Sequence, residues 1–221
     1  MIIDTPHRCQ TTAMIMLFAG LRRGELIPLT WNDIDLKNGY IKITKSVDLQ
    51  SNSPILKEGG KTDAAFRLIS IPTILKNYLK IKKNESVTEL VCPNVHGRMH
   101  SKSSFDKMWS SYMYTLNLKY GYNNSIKSKC INDLPFKIQK FSSHYLRHTF
   151  ATILYLQGID VVTAKQLLGH KDVQVTINIY TDLNNNSLFF IEDEYRERLQ
   201  TDYKIAYKPN DKCMQNVCQI A

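Results

Sequence analysis

The sequence has few cysteines and no long apolar run. Its 5 cysteines among 221 residues are scattered and include no CxxC pair, which argues against a disulfide framework and a four-thiolate zinc site. The longest apolar run covers residues 13–21, far short of the roughly 20 residues that a membrane-spanning helix needs. Arg22 and Arg23 follow that run, where a signal peptide would carry small residues. We therefore predict a cytoplasmic protein with reduced thiols and no membrane segment.

Acidic side chains are scarce relative to basic ones. The chain has 29 lysines and arginines against 20 aspartates and glutamates, a formal net charge of +9. The excess lies in residues 1–186 and is densest in 98–140. A basic body predicts a polyanionic partner, most simply nucleic acid. Charge alone leaves open a merely soluble basic surface.

Hydrophobic patterning predicts a mostly helical α+β fold with one small antiparallel sheet. Apolar residues make up 43% of the chain and charged residues 22%, which excludes disorder over its whole length. The predicted sheet pairs strands at 40–46 and 66–71, joined by a polar loop. A short strand at 90–92, an extended surface loop at 120–140 and a mobile tail at 201–221 complete the pattern. Helices are predicted at about residues 5–20, with Thr5 as the cap, and at 73–83, 101–118, 143–157, 161–168, 173–181 and 187–200.

Two basic residues share one face of the helix predicted at 143–157. His144 and Arg147 are three positions apart, which places them side by side on a helix. A histidine exchanges a proton near neutral pH, and an arginine is a planar cation that suits phosphate oxygens. An ordinary surface pair is the alternative. His148 gives a zinc-like spacing with His144, but the glutamate of the metalloprotease motif is absent, so no metal site is predicted.

Two further segments combine glycine with a cationic side chain. Arg22 follows the first helix and its Gly20 stop, and Glu25 lies three residues later, where it could orient a cation. The alternative is a C-terminal arginine favoured by the helix dipole. The glycines at 59–60 give a flexible hairpin tip that could bring Lys61 to a ligand. The spacing of a phosphate-binding P-loop is absent.

A last segment combines a histidine with a tyrosine. Gly169 ends a helix and presents His170 at a loop, and Tyr180 lies on the following short helix. Taken alone, Tyr180 is one of 12 tyrosines, and a half-buried packing role is its simpler explanation. No single motif therefore identifies a function.

In this order, the motifs resemble those of the tyrosine recombinase family, the phage-type integrases. The resemblance covers about residues 7–182 and implies the catalytic fold of that family for residues 1–182. It implies that 183–221 forms a C-terminal helix and a mobile tail, and that the family's upstream DNA-clamping domain is absent from this sequence. The matching segments are AGLRRGEL (19–26), KTDAAFRLISIP (61–72), HYLRHTFAT (144–152), LLGH (167–170) and INIYT (177–181).

The resemblance implies that the protein cleaves and rejoins DNA through a 3′-phosphotyrosyl intermediate, integrating or excising a mobile element without metal, cofactor or ATP. It makes Arg22 and Arg147 the phosphate-binding arginines and Tyr180 the nucleophile. Lys61 would protonate the leaving 5′ oxygen. The remaining implied roles are proton transfer for His144, a hydrogen bond to the scissile phosphate for His170, and a supporting position for Glu25.

The resemblance also implies partners. These are double-stranded DNA and further copies of the chain, with four protomers on two duplexes in the bacterial cytoplasm, on the nucleoid. The helix at 187–200 would contact a neighbouring protomer. Contacts to the DNA backbone are expected from Arg23, Lys102, Lys127, Lys129 and Lys140.

Two other functions remain open at this point. A type IB topoisomerase or a telomere-resolving enzyme uses similar arginine, lysine, histidine and tyrosine chemistry, but relaxes or closes DNA instead of exchanging strands. A non-catalytic DNA-binding module could retain the same fold. The LLGH and YT segments favour the recombinase, and the presence of all six expected residues argues against the binding module.

Overall fold

The computed structural model describes residues 1–50, 52–58, 67–124 and 134–185. The predicted mostly helical α+β class is confirmed within these ranges. The helices are α1 (Gln10–Ala19), α2 (Arg23–Leu26), α3 (Thr73–Glu85), α4 (Lys102–Leu116), α5 (Ser143–Leu156), α6 (Val161–Leu168) and α7 (Val173–Asn185). The strands are β1 (Ile34–Asp35), β2 (Tyr40–Ile43), β3 (Lys45–Asp48), β4 (Ile55–Glu58) and β5 (Arg67–Ser70).

Helix α1 forms the centre of the core. Every residue from Thr12 to Ala19 is buried, which is typical of a helix that is covered on all sides. The helix begins at Gln10, so the prediction that Thr5 caps it is wrong. Instead, the Thr5 hydroxyl donates to the Met1 carbonyl at 2.8 Å, and the segment before Gln10 forms turns.

Helix α1 packs closely against α5 at its C-terminal end. Gly20 ends α1 with a φ of +63°, a left-handed conformation that favours glycine. A Cβ at this position would overlap the ring of Phe150. The glycine therefore ends the helix, as predicted. It also allows α5 to pack closely against the end of α1, two residues before Arg22.

The predicted antiparallel pairing of the two alternating strands is confirmed. Strand β2 lies between β1 and β5, and its Ile41 is opposite Ile69 of β5. Both isoleucines are fully buried. Strand β5 begins at Arg67, six residues after Lys61 in the sequence.

The prediction of a single sheet is wrong. Strands β3 and β4 form a second antiparallel pair, with Val47 opposite Leu56. Strand β3 begins within the strand predicted at 40–46, and β4 lies inside the segment predicted to be a polar loop. Val47 is buried, but Ile55 and Leu56 are 56% and 41% exposed. Neither Ile55 nor Leu56 contributes to the core. Strand β4 therefore lacks the alternation of apolar and polar residues that predicts a half-buried strand.

The segment after α4 is partly anchored. The last helical residues continue into a π turn at Asn117–Gly121, and Asn117 is buried. Its amide nitrogen donates to the Pro135 carbonyl at 3.1 Å, and its amide oxygen accepts from the Lys137 N–H at 2.8 Å. Part of the predicted extended loop is therefore fixed to α4, while residues 125–133 lie outside the described residues.

The structure differs from the prediction at two smaller elements. In place of a strand at 90–92, there is a single bridge between Thr30 and Leu90. Helix α7 extends to Asn185, beyond the predicted end at 181. The predicted helix at 187–200 and the tail at 201–221 lie outside the described residues. None of the helices in the described ranges is long and apolar enough to cross a membrane.

Candidate active site

Arg22 lies between α1 and α2 and is oriented by Glu25. Its Nη1 donates to Glu25 Oε1 at 2.9 Å, and its backbone N–H donates to Glu25 Oε2 at 2.8 Å. The Arg22 side chain keeps 39% of its surface exposed. Its guanidinium is therefore both fixed in direction and accessible to a ligand.

Three consecutive carbonyls at the C-terminal end of α6 accept hydrogen bonds from three different arginines. The last carbonyls of a helix have no partner within the helix and carry a partial negative charge. Here guanidinium groups from three separate parts of the chain satisfy them. The pairs are Leu167 with Arg67 Nε at 3.0 Å, Leu168 with Arg147 Nη2, and Gly169 with Arg22 Nη2 at 2.6 Å.

Arg147 is the most deeply buried member of this cluster. It lies on α5 with 3% of its surface exposed, and its Nη1 donates to the Gly20 carbonyl at the end of α1. Burial and then the positive charge of Arg22 lower the pKa of Arg147 to about 9, so it remains a cation at neutral pH. Arg147 thus joins the ends of α1 and α6.

His170 is placed beside the arginines by the turn that follows α6. Gly169 takes a φ of +64° to end that helix, and His170 Nδ1 then lies 2.9 Å from the hydroxyl of the buried Thr176. Burial and the charges of Arg147 and Arg22 lower the pKa of His170 to about 4. His170 is therefore neutral at physiological pH and can donate one hydrogen bond without carrying a charge.

His144 lies at the exposed N-terminal end of α5. Its ring is perpendicular to that of His148, with the centroids 4.8 Å apart. Partial burial, His148 and Arg147 lower its pKa. Within the described ranges, no group of three or more histidine, cysteine, aspartate or glutamate side chains is arranged to hold a metal ion.

Tyr180 is packed inside the fold. It lies on α7 with 7% of its surface exposed, and its ring centroid is 5.0 Å from that of Tyr155. Its hydroxyl donates to the Ile159 carbonyl at 3.2 Å. Burial and then the negative charge of Asp160 raise the pKa of Tyr180. In this arrangement, the phenol is bound to a backbone carbonyl and not to a cation.

Arg67 is the member of the cluster that the sequence motifs did not identify. It is the first residue of β5, and its Nη1 and Nη2 donate to the two oxygens of Glu25 at 2.9 and 2.8 Å. Burial would raise the pKa of Glu25, but Arg67 and Arg22 outweigh burial and lower it to about 2. The sequence signal that could have identified Arg67 is its position in the strand. It lies two residues before the buried Ile69, so both side chains are on the same face of the sheet.

The structure brings four predicted site residues together around the end of α6: Arg22, Glu25, Arg147 and His170. Lys61, Lys127 and Lys129 lie outside the described residues. Of the other predicted DNA contacts, Arg23 pairs with Asp106 at 3.0 Å, Lys102 begins α4 on the surface, and Lys140 Nζ lies 4.0 Å from the centroid of the Phe136 ring.

The structure also contains a cavity of about 440 Å³ whose lining includes none of the clustered arginines. It opens between α2, α4 and the N-terminal end of α5. Its lining includes Arg23, Phe105, Trp109, Ser143 and His144. The predicted DNA contact Arg23 and the predicted proton-transfer residue His144 therefore face one common space.

Comparisons with known sequences agree on one family. Residues 2–187 match the phage integrase family. The chain is 28% identical over 188 residues to the "Tyrosine recombinase XerC-like" protein of Caldanaerobacter subterraneus, covering 79% of this chain and 46% of that protein. It is 29% identical over 208 residues to "Transposase A from transposon Tn554" of Staphylococcus aureus, covering 89% of this chain and 50% of the transposase. The chain thus spans about half the length of these relatives.

Solved structures show the same fold. The Tn1549 transposon integrase (aa 82–397), solved in complex with circular intermediate DNA, superposes with a TM-score of 0.61 at 21% identity, over 87% of this chain and 60% of that one. The XerA recombinase superposes with a TM-score of 0.52 at 22% identity, over 93% of this chain and 61% of that one. At a sequence identity of 21–22%, these superpositions show a shared fold and nothing beyond it.

Proposed function

The chain belongs to the phage integrase family, and from this premise we propose that it is the catalytic part of a site-specific recombinase that cleaves and rejoins duplex DNA when a mobile element integrates or excises. The observation that carries the proposal is the convergence of Arg22, Arg147 and His170 on the end of α6. The similar Tn554 transposase and the DNA-bound Tn1549 integrase support a mobile element as the context.

The two arginines would stabilise the charge that develops on the phosphate. Attack on a phosphodiester accumulates negative charge on the non-bridging oxygens, and positioned cations in a water-poor site oppose it strongly. A guanidinium has five N–H donors, and Arg147 uses two of them on the Gly20 and Leu168 carbonyls. Arg22 is accessible from the surface. Together they would hold the phosphate from two directions.

One histidine would donate a hydrogen bond to the phosphate, and the other histidine and a lysine would transfer protons. His170, neutral and held near Thr176, would donate a hydrogen bond to a phosphate oxygen. His144 would assist proton transfer from the exposed end of α5. Lys61 would be the general acid that protonates the leaving 5′ oxygen, a role that rests on the family resemblance because its segment lies outside the described residues.

Tyr180 would form the covalent intermediate. Its oxygen attacks the phosphorus, a 3′-phosphotyrosyl bond forms and the bond to the 5′ oxygen breaks. The phenol would lose its proton with the help of His144, which is the proposed proton-transfer residue, and Lys61 would supply a proton to the 5′ oxygen. The covalent link conserves the bond energy, so rejoining needs no ATP. For this step, Tyr180 must leave the Ile159 carbonyl.

A nicked suicide substrate tests the proposal. Nicked fragments of genomic DNA from the organism that encodes the chain are incubated with the protein, and covalent adducts are isolated on a denaturing gel and sequenced. We expect an adduct with the wild type and with Tyr155→Phe, the matched tyrosine control, and none with Tyr180→Phe or Arg147→Ala. The absence of an adduct, with duplex binding retained, would instead support a non-catalytic DNA-binding module.

Two further assays distinguish the remaining possibilities. Relaxation of a supercoiled plasmid without recombinant product would support a type IB topoisomerase activity. For the recombinase, we propose four protomers on two duplexes, with a C-terminal contact between neighbours and the complex located on the nucleoid. Light scattering of the chain with a duplex isolated in the adduct assay measures the stoichiometry, and a plateau at one protomer per duplex would contradict this assembly.

A further inference from the structure

Arg67 joins three parts of the molecule. It belongs to strand β5, it binds both oxygens of Glu25 on α2, and it donates to the Leu167 carbonyl at the end of α6. Its side chain is 7% exposed and that of Glu25 is 9% exposed. A buried charge that loses its partner is strongly destabilised, so each of these two residues holds the other in place.

The geometry of this contact suits arginine specifically. Two parallel N–H donors match the two oxygens of a carboxylate, and the third donor, Nε, lies on the edge of the same plane. A lysine in the same position is a point charge that cannot span both oxygens and a carbonyl at once. The contact therefore sets the direction of the Glu25 carboxylate as well as its charge.

One partner of Arg67 orients Arg22, and the other lies next to the carbonyl that anchors Arg147. Glu25 accepts from Arg22 Nη1 through Oε1, the oxygen that Arg67 Nη1 also holds. The Leu167 carbonyl directly precedes the Leu168 carbonyl that anchors Arg147. A displacement of Arg67 would therefore move the supports of both arginines at the same time.

Gly169 shows how closely Arg67 is fitted to this turn. A Cβ on Gly169 would lie 2.7 Å from Arg67 Nη1 and 2.8 Å from its Cζ. The guanidinium thus packs directly on the backbone that precedes His170. Arg67 contacts the turn that sets the position of the third phosphate-binding group.

We propose that Arg67 is a positioning residue for DNA cleavage: through Glu25 and the end of α6, it holds Arg22, Arg147 and His170 in the arrangement that binds the scissile phosphate. This inference rests on the proposed function. It assigns Arg67 no contact with DNA, and its loss should affect the chemical step more than DNA binding.

The test compares Arg67→Lys with the wild type on the duplex isolated in the adduct assay. Because a small displacement of a catalytic group can lower a rate by about 100-fold, we expect adduct formation to slow by about that factor while the Kd for the duplex stays within about threefold. Lys82→Met, which breaks a surface ion pair with Glu85 on α3, is the matched control and should keep the wild-type rate.

A pH profile separates positioning from a general loss of stability. Without its bidentate partner, Glu25 should be protonated more readily, so Arg67→Lys should lose additional rate as the pH falls below about 6, within the range where a buried carboxyl titrates. Because His144 titrates in both proteins, the extra loss is measured as the ratio of the Arg67→Lys rate to the wild-type rate at each pH. Adding Glu25→Gln to Arg67→Lys should abolish the extra pH dependence, since an amide cannot titrate.

Each outcome decides between the two proposals. An unchanged rate and pH profile in Arg67→Lys, with a normal adduct in the wild type, would overturn this inference and leave the proposed function intact. Loss of the cooperative thermal transition in Arg67→Lys would also overturn it, because Arg67 would then have a purely structural role. No adduct in the wild type would overturn the proposed function and this inference with it.

Discussion

The hydroxyl of Tyr180 donates to the carbonyl of Ile159 at 3.2 Å, in the turn between α5 and α6. The proposed nucleophile is therefore hydrogen-bonded to the backbone of its own domain. A single neutral hydrogen bond contributes only about 1 kcal/mol to stability. This contact is weak enough to be exchanged for a phosphate when DNA binds.

Tyr180→Phe should separate activity from stability. The substitution removes one hydroxyl and keeps the ring that packs on Tyr155, so we expect the free energy of unfolding to fall by about 1 kcal/mol or less. Adduct formation should be lost completely. Urea unfolding and the denaturing gel measure the two effects, and a large loss of stability would show that the Ile159 contact is a major part of the fold.

Gly169→Ala should destabilise the protein more than Gly158→Ala. Both glycines have a positive φ, +64° and +70°, but a Cβ meets Arg67 at Gly169 and nothing within 4 Å at Gly158. The left-handed conformation alone costs an L-residue about 1–2 kcal/mol. Since the Arg67 guanidinium is held by Glu25 and Leu167, it cannot yield easily, and we expect an additional loss of about 1–3 kcal/mol. Equal losses in urea unfolding of the two variants would contradict this account.

Stability should fall with acidification through the range in which His170 titrates. The pKa of His170 is lowered from 6.5 to about 4 in the folded protein, so the unfolded chain takes up the proton first. The contribution of His170 is complete above about 6.5 and is lost as the pH falls toward about 4. His170→Gln should flatten this pH dependence in urea unfolding. An identical slope in the variant would show that His170 is not held in its neutral form.

Lys102 and Lys140 should contribute to DNA binding through charge alone. If each contacts one phosphate, Lys102→Gln with Lys140→Gln should reduce the slope of log K against log salt by about 2. Fluorescence anisotropy of a labelled duplex over a salt series measures this slope. The matched control replaces Lys80 and Lys83 of α3 with glutamine, and a similar reduction there would mean that the charge effect is not local.

Apart from Arg67, the basic residues of the candidate site could be recognised in the sequence by their positions, and the family resemblance then implied their roles. Arg22 follows a helix stop, Arg147 and His144 share a helix face, and His170 follows a second stop. Their acceptors could not be predicted in this way. The carbonyls of Leu167 and Leu168 belong to an ordinary apolar pair, and nothing in a side chain reveals which backbone oxygen will face an arginine.

The fold was predictable where burial imposes a pattern. The β2–β5 pairing follows from alternation around Ile41 and Ile69, which are both buried. Strand β4 carries no such pattern, because backbone pairing with β3 holds it while Ile55 and Leu56 remain exposed. Arg67 occupies a core-facing position of β5, but a charged residue at such a position is not expected to be buried. Its burial is explained only by the ion pair with Glu25.

The use of main-chain oxygens as anchors for Arg147 has a consequence for sequence divergence. Every amino acid supplies a carbonyl, so a substitution at Leu168 cannot delete the acceptor that Arg147 needs; it can only displace it. A carboxylate anchor, by contrast, disappears with a single codon change. The anchor of Arg147 therefore depends on where α6 ends and on the position of its backbone, and not on the chemistry of the side chain at residue 168.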